Sequence, residues 1–304
     1  MNIYKLSGEK LKSVNEKAFK LEKEIQKVTE DNLGPVFGLE MVKSEFTVGN
    51  FRFDTVAYDA ELKSFVIIEY KRGTSYSVFD QGMNYLSLML DNKADFVLEY
   101  NERSHNTLKR DDVDWTQTKV IFVSPSFNDY QKGAINFKNL PIELWEITRY
   151  EGDLVSYDPI TPVGATESVA NLTKEGGAVA KVTKEIVVYT EEQHLSICKP
   201  EILELYDELK TRIEGFDKVT MKPIKRYVAF KAGTNFVDIH PQKNALKIWL
   251  NMTKGSLDDS KGIMRDVSEI GHWGNGDYEL QVKDNSDIDY LMSLIKQSYL
   301  KNKK

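Results

Sequence analysis

The chain has 304 residues, of which 41% are hydrophobic and 29% charged, with a formal net charge of -6. That length fits two domains with a core each, and the charge argues against a protein that coats nucleic acid nonspecifically. A single cysteine, Cys198, excludes an internal disulfide framework and a cysteine-based zinc cluster.

No apolar run reaches the ~18 residues a membrane span needs, and Met1 to Lys12 lacks the apolar stretch of a secretory signal. The expected location is a reducing cytoplasm. Residues 1–157 carry 20 Lys and Arg against 25 Asp and Glu, a balance of -5; residues 158–304 carry 21 against 22, or -1. Neither half is basic overall, which still permits a local basic groove around an acidic, cation-neutralised site.

In chain order, residues 11–31 read as a helix. Val14, Ala18, Leu21, Ile25 and Val28 recur at three- and four-residue steps, and Asn32, Gly34 and Pro35 stop the pattern. Phe46 to Tyr58 is rich in β-branched and aromatic residues and breaks at Gly49-Asn50. A polar turn, Asp59 to Ser64, leads into Phe65-Val66-Ile67-Ile68-Glu69-Tyr70-Lys71, a run suited to a strand buried on both faces. Val78 to Leu90 reads as a helix, followed by strands at Asp95–Tyr100, Lys119–Val123 and Ile142–Tyr150.

Residues 158–185 change character, with Pro159, Pro162, Gly164, Gly176 and Gly177 among small and polar residues. This places a linker at 158–190 between an α/β domain, 1–157, and a small α+β domain, 191–304. The second domain is expected to hold a helix at His194–Glu214, strands at Tyr227–Lys231, Phe236–His240 and Leu246–Leu250, a turn at Pro241–Asn244 and a final helix at Ser286–Leu300.

The chemistry lies between Asn50 and Tyr85. Side chains alternate faces along a strand, so Arg52, Asp54, Val56 and Tyr58 share one face, as do Phe65, Ile67, Glu69 and Lys71. A hairpin around Asp59–Ser64 brings Asp54 near Glu69, because opposed Cβ atoms lie ~4.5–5.5 Å apart. Charges at the end of a buried strand cost free energy unless paired or metal-bound, and two adjacent carboxylates repel. A divalent cation removes that conflict. Asp54 and Glu69 are hard oxygen ligands suited to Mg²⁺, the backbone carbonyl of Tyr70 is a further candidate ligand, and Lys71 can hold an attacking water and steady charge growing on phosphorus.

Arg52-Phe53-Asp54, then Glu69-Tyr70-Lys71, then Asp80-Gln81-Gly82-Met83-Asn84-Tyr85 resembles the PD-(D/E)xK nuclease superfamily, in particular its NucS-like branch, over roughly residues 15–150. The resemblance implies a restriction-endonuclease-like core ordered helix, three strands, helix, strand, with a central mixed sheet. It implies Mg²⁺ or Mn²⁺ as cofactor and nucleic acid, DNA foremost, as partner, and it allows a homodimer. It also implies a glutamate on the first helix at the metal site and a glutamine on the second helix beside the lysine or phosphate. Gln81 matches that glutamine, with Tyr85 one turn on. Among Glu22, Glu24 and Glu30, the wording Glu24-Ile25-Gln26 selects Glu24, while Glu30 is expected to point away from the apolar stripe. Phe53 stands where the motif has proline. Arg52, Arg72 and Tyr85 are the candidate nucleic-acid contacts; Tyr70 and Tyr76 read as packing residues.

Glu-x-Lys alone has little specificity: Glu61-Leu62-Lys63 and Glu208-Leu209-Lys210 also occur, in a turn and on a helix. His105, His194, His240 and His272 show no His-Glu-x-x-His spacing, and Gly271-His272-Trp273-Gly274-Asn275-Gly276 lacks the lysine ending of a phosphate loop. The second domain resembles uncharacterised C-terminal domains that accompany predicted nucleases. Arg226 to Lys231, Lys247 to Leu250 and His272-Trp273-Gly274 carry that likeness, and their interleaved basic and aromatic residues suit nucleic-acid contact as well as they suit ordinary amphipathic strands. Proteins of this form are often labelled predicted transport proteins, but the sequence has no membrane span and no nucleotide-binding loop. A metal-dependent endonuclease, serving defence or repair, is the expected function; a non-catalytic binding module on a nuclease fold and an RNA nuclease are the alternatives.

Overall fold

The computed structural model describes residues 3–73, 77–104, 107–137, 139–161, 169 and 177–303. Tyr76, His105, Pro162, Gly164 and Gly176 lie outside the described residues. The chain divides into two compact units, Met1–Val188 and Tyr189–Lys304.

The first unit opens with an exposed hairpin, β1 (Tyr4–Ser7) and β2 (Lys10–Ser13), then α1 (Glu22–Glu30) and α2 (Leu33–Phe37). Next come β3 (Glu40–Val48), β4 (Phe51–Asp59) and β5 (Ser64–Tyr70), followed by α3 (Val78–Asp91) and α4 (Lys93–Ser104). The unit continues with β6 (Lys119–Ser124), α5 (Asp129–Ala134), β7 (Ile142–Tyr150), β8 (Leu154–Ile160) and α6 (Ala178–Glu185). The order helix, three strands, helix, strand implied by the resemblance is present from α1 to β6.

These strands form a six-stranded mixed sheet in the order β3-β4-β5-β6-β7-β8. β5 and β6 pair in parallel, as do β6 and β7; the outer pairs are antiparallel. Every residue of β5 is buried, as a central strand sandwiched by helices requires. Val56, Phe65, Ile67, Val120 and Phe122 pack on one face with Met83 and Leu86 of α3 and Phe96 of α4. Ala57, Val66, Ile68, Tyr70, Ile121 and Val123 pack on the other with Ile25 of α1 and Leu33 of α2.

The second unit contains α7 (Glu191–Leu195), α8 (Pro200–Glu214), β9 (Thr220–Pro223), β10 (Val228–Ala232), β11 (Thr234–Gln242), β12 (Ala245–Leu250), β13 (Arg265–Asp266), β14 (Tyr278–Val282) and α9 (Ile288–Asn302). Its antiparallel sheet runs β13-β14-β12-β11-β10-β9. Ile202, Leu205, Leu209 and Ile213 of α8 and Leu291 and Ile295 of α9 bury against Val228, Phe230, Ile239, Ile248 and Leu250.

Four expectations need correction. The helix expected over 11–31 is confined to Glu22–Glu30. Residues before it instead turn at Gly8, whose φ is +66°, and run alongside β7, with the Lys17 amide donating to the Arg149 carbonyl. Asp95–Tyr100 is helical, within α4: Phe96, Val97 and Tyr100 are its buried residues, at helical rather than alternating spacing. The helix expected at His194–Glu214 is two helices, and Pro200 starts the second at its first turn, where a missing N–H costs nothing. The linker at 158–190 is too long. β8 pairs with β7 up to Ile160, and Val182 and Ile186 are buried in the first unit's core.

Candidate active site

The β4–β5 register pairs Thr55 with Ile68 and Val56 with Ile67, so continuing it by one step sets Asp54 opposite Glu69. The structure thus brings these two carboxylates to the same end and face of the hairpin. Tyr70's amide donates to Asp54 Oδ2 at 3.1 Å. Lys71 Nζ donates to Glu69 Oε1 at 2.6 Å, and Gln81 Nε2 donates to the same oxygen at 2.9 Å. The other oxygen, Glu69 Oε2, is buried with no hydrogen-bond partner among the described residues. Glu69 itself is 3% exposed. A buried carboxylate oxygen without a donor is expensive.

The electrostatics agree. Burial is the largest influence raising the Asp54 carboxyl above its ordinary range, opposed by the Tyr70 amide and the Lys71 charge and reinforced by Glu22. Burial also raises Glu69, and the Asp54 charge raises it further, against Lys71 and Gln81. The Asp54 charge thus disfavours ionisation of its neighbour Glu69, which a nearby cation would favour. The chemistry of this donor set, hard oxygens with one free buried lone-pair site, fits a small divalent ion. Among the described residues, no three His, Cys, Asp or Glu side chains form a ready-made cage.

α3 delivers Gln81 because Ser77 caps it, accepting from the Asp80 amide at 3.2 Å. Gln81 Nε2 also donates to Tyr85 Oη at 2.9 Å, and Tyr85 Oη donates to the Arg52 carbonyl at 3.4 Å. The Tyr85 ring meets Phe53 edge-on, 4.9 Å between centroids. Burial pushes its phenol up to about 12, so it remains a neutral donor. Tyr85 therefore braces Gln81 and packs into the core.

The other candidates are placed as follows. Glu24 turns away from the pair: its Oε2 meets Arg149 at 3.4 Å and accepts from the Lys20 amide at 3.3 Å. Glu22, two residues earlier, is the helix carboxylate whose charge acts on Asp54, and it accepts from the Arg72 amide at 2.9 Å. Glu30, expected to point away, is half-buried and accepts from Thr55 Oγ1 at 2.6 Å and Gln26 Nε2 at 2.9 Å. Gln26 was not singled out by sequence, yet it is buried and also donates to the Asp54 carbonyl at 3.1 Å, tying α1 to the site. Its signal was a polar residue next to Ile25 on the buried stripe. Arg52 is exposed and pairs with Glu45 at 3.0 Å. Arg72 is exposed and bonds the Lys20 carbonyl. The Tyr70 side chain is buried on the far face, its hydroxyl accepting from Thr55 at 3.1 Å.

Residues 191–302 match a family model described as a domain of unknown function, DUF5655. Among solved structures, an EndoMS–dsDNA2 complex overlaps 43% of this chain and 48% of that one, at 16% identity and a TM-score of 0.25. A repair endonuclease from Pyrococcus abyssi overlaps 43% and 50%, at 17% identity and a TM-score of 0.25. SfsA of Pyrococcus furiosus in complex with Ca²⁺ overlaps 47% and 76%, at 13% identity and a TM-score of 0.22. The overlap spans about half the length of the first two chains, and likenesses this loose carry no argument about activity. A whole-length relative is an uncharacterized protein of Haemophilus influenzae (strain ATCC 51907 / DSM 11121 / KW20 / Rd), 46% identical over 299 residues that cover 98% of this chain and 99% of that protein. The chain belongs to the family of that Haemophilus influenzae protein.

Proposed function

We propose that the first unit is a divalent-cation-dependent nuclease that hydrolyses phosphodiester bonds, with DNA as its substrate. The observation that carries this reading is Glu69: buried, held on one oxygen by Lys71 and Gln81, unpartnered on the other, and set against Asp54. In this reading Asp54 and Glu69 hold Mg²⁺ or Mn²⁺, with the Tyr70 carbonyl as a further ligand and water and substrate oxygens completing the shell. When bound, such an ion polarises the phosphodiester and makes a nucleophile available at neutral pH. Lys71 positions the attacking water and offsets negative charge on the phosphoryl oxygens. Gln81, braced by Tyr85, keeps the Glu69 carboxylate aimed. Glu22, rather than Glu24, is the helix-borne carboxylate that assists, because its charge already acts on Asp54. In this reading Arg52 and Arg72 exchange their present partners, Glu45 and the Lys20 carbonyl, for flanking phosphates.

The test is cleavage of plasmid, linear duplex, single-stranded and modified DNA, and of RNA, with Mn²⁺ or Mg²⁺. Cation-dependent DNA cleavage lost in Lys71→Ala is expected. Activity that persists in a pure Lys71→Ala preparation contradicts the mechanism. Absence of both cleavage and cation binding favours a non-catalytic scaffold instead.

A further inference from the structure

The second unit buries a carboxylate to hold one loop. Asp238 on β11 is 1% exposed and accepts from Asn275 N at 2.7 Å, Asn275 Nδ2 at 2.9 Å and Asn235 Nδ2 at 2.9 Å. These bonds clamp the loop 271–276 onto the sheet face that carries Tyr227, Asp238, His240 and Trp249. The loop closes so tightly that two positions exclude a side chain. A Cβ at Gly274 would lie 2.3 Å from the Trp249 ring, and one at Gly276, where φ is +79°, would lie 2.1 Å from the Leu250 carbonyl oxygen. His272 adds bonds at both ring nitrogens, to the Ile270 and Gly276 carbonyls, at 2.7 and 2.8 Å.

What this rigid loop presents is Trp273, 52% exposed. The Arg226 guanidinium lies over its ring at 4.5 Å, and His240 meets it edge-on at 5.2 Å with an interplanar angle of 86°. His240 is itself fixed by Nδ1 against the Arg226 carbonyl at 2.5 Å. The buried, hydrogen-bonded Asp238 thus fixes the backbone of the loop that carries this exposed indole. A guanidinium stacked on a ring can still offer its in-plane N–H groups to an oxyanion, and an exposed indole can offer ring surface to a planar partner. A flat π-surface beside a phosphate-seeking cation is the chemistry of single-stranded nucleic acid, in which base and phosphate alternate along one chain.

We infer that Arg226, His240 and Trp273 form a base-stacking and phosphate-binding surface for single-stranded nucleic acid on the second unit. The site shares no residue with the carboxylate pair and stands independently of the nuclease reading. It is tested on the full chain in EDTA, where metal-dependent chemistry is silent, by fluorescence anisotropy with a labelled oligothymidylate of roughly 20 nucleotides, longer than one site size. Trp273→Ala is expected to weaken binding about 5- to 100-fold, and Trp273→Phe to restore most of it. Arg226→Ala is expected to lower the slope of log affinity against log salt by about 1. If Trp273→Ala fails to fold, judged by its circular dichroism and melting, Arg226→Glu carries the test with an expected loss of about tenfold or more. No binding by the wild-type chain at low salt, or variants that bind as the wild type does, overturns the inference.

Discussion

Each unit buries a carboxylate on the face of a six-stranded sheet, and the two are treated in opposite ways. Asp238 accepts from the amides of Asn235 and Asn275 and from the Asn275 backbone, so both of its oxygens have donors. The orphan in that cluster is a neutral atom, the amide Oδ1 of Asn235. Glu69 has a cation and an amide on one oxygen, nothing on the other, and a second carboxylate facing it. The first arrangement closes a structure. The second leaves one buried oxygen with no partner among the described residues. The contrast is in how the two carboxylates are satisfied, although both are almost fully buried.

The largest effect expected from this contrast is on cleavage. Asp54→Ala, Glu69→Ala and Lys71→Ala should each reduce the cation-dependent rate by about 10²–10³-fold or more while the far-ultraviolet spectrum stays native. Asp238→Ala, in contrast, should leave the cleavage rate of the first unit unchanged. It should instead destabilise the second unit by about 1–3 kcal/mol, read by denaturant unfolding, because it strands the Asn275 donors.

A smaller effect concerns pH. Burial raises Asp54, so the native protein binds a proton there that the unfolded chain has already released. Below ~4, the ordinary carboxylate range, both states are protonated and burial costs nothing. As pH rises through the raised value the native state must ionise a buried group, and stability falls. Asp54→Asn should therefore raise the melting temperature of the cation-free protein at neutral pH, by roughly 2–4 °C. The gain should vanish in acid. Mn²⁺ should raise the melting temperature of the wild type and leave that of Asp54→Asn unmoved.

The smallest effect distinguishes two glutamates on one helix. Glu24→Gln breaks a partly exposed ion pair with Arg149 and should cost about 0–1 kcal/mol, with cleavage near the wild-type rate. Glu22→Gln should lower cleavage measurably. A reversed result would return the helix carboxylate to Glu24 and place Glu22 as a loop anchor.

The strand pair was legible because alternation with period two is local: Asp54 on one strand and Glu69 and Lys71 on the next need only a register to meet. Gln81 came from the resemblance, as the glutamine of the second helix. The choice between Glu22 and Glu24 was not legible. It depends on where α1 begins, and the preceding segment is drawn into contact with β7 by backbone bonds that no local pattern announces. Asp95–Tyr100 was misread because a short apolar run fits a strand or a helix equally, and only the sheet's lack of room for another strand between β5 and β6 decides it. In the second unit the reason for Gly274 and Gly276, close approach to Trp249 and Leu250, is tertiary.

The most direct test is calorimetric titration of Mn²⁺ into the wild-type chain and into Glu69→Gln. Saturable binding in the wild type that disappears in Glu69→Gln is the predicted result. Absence of binding in the wild type, or undiminished binding in Glu69→Gln, would contradict it.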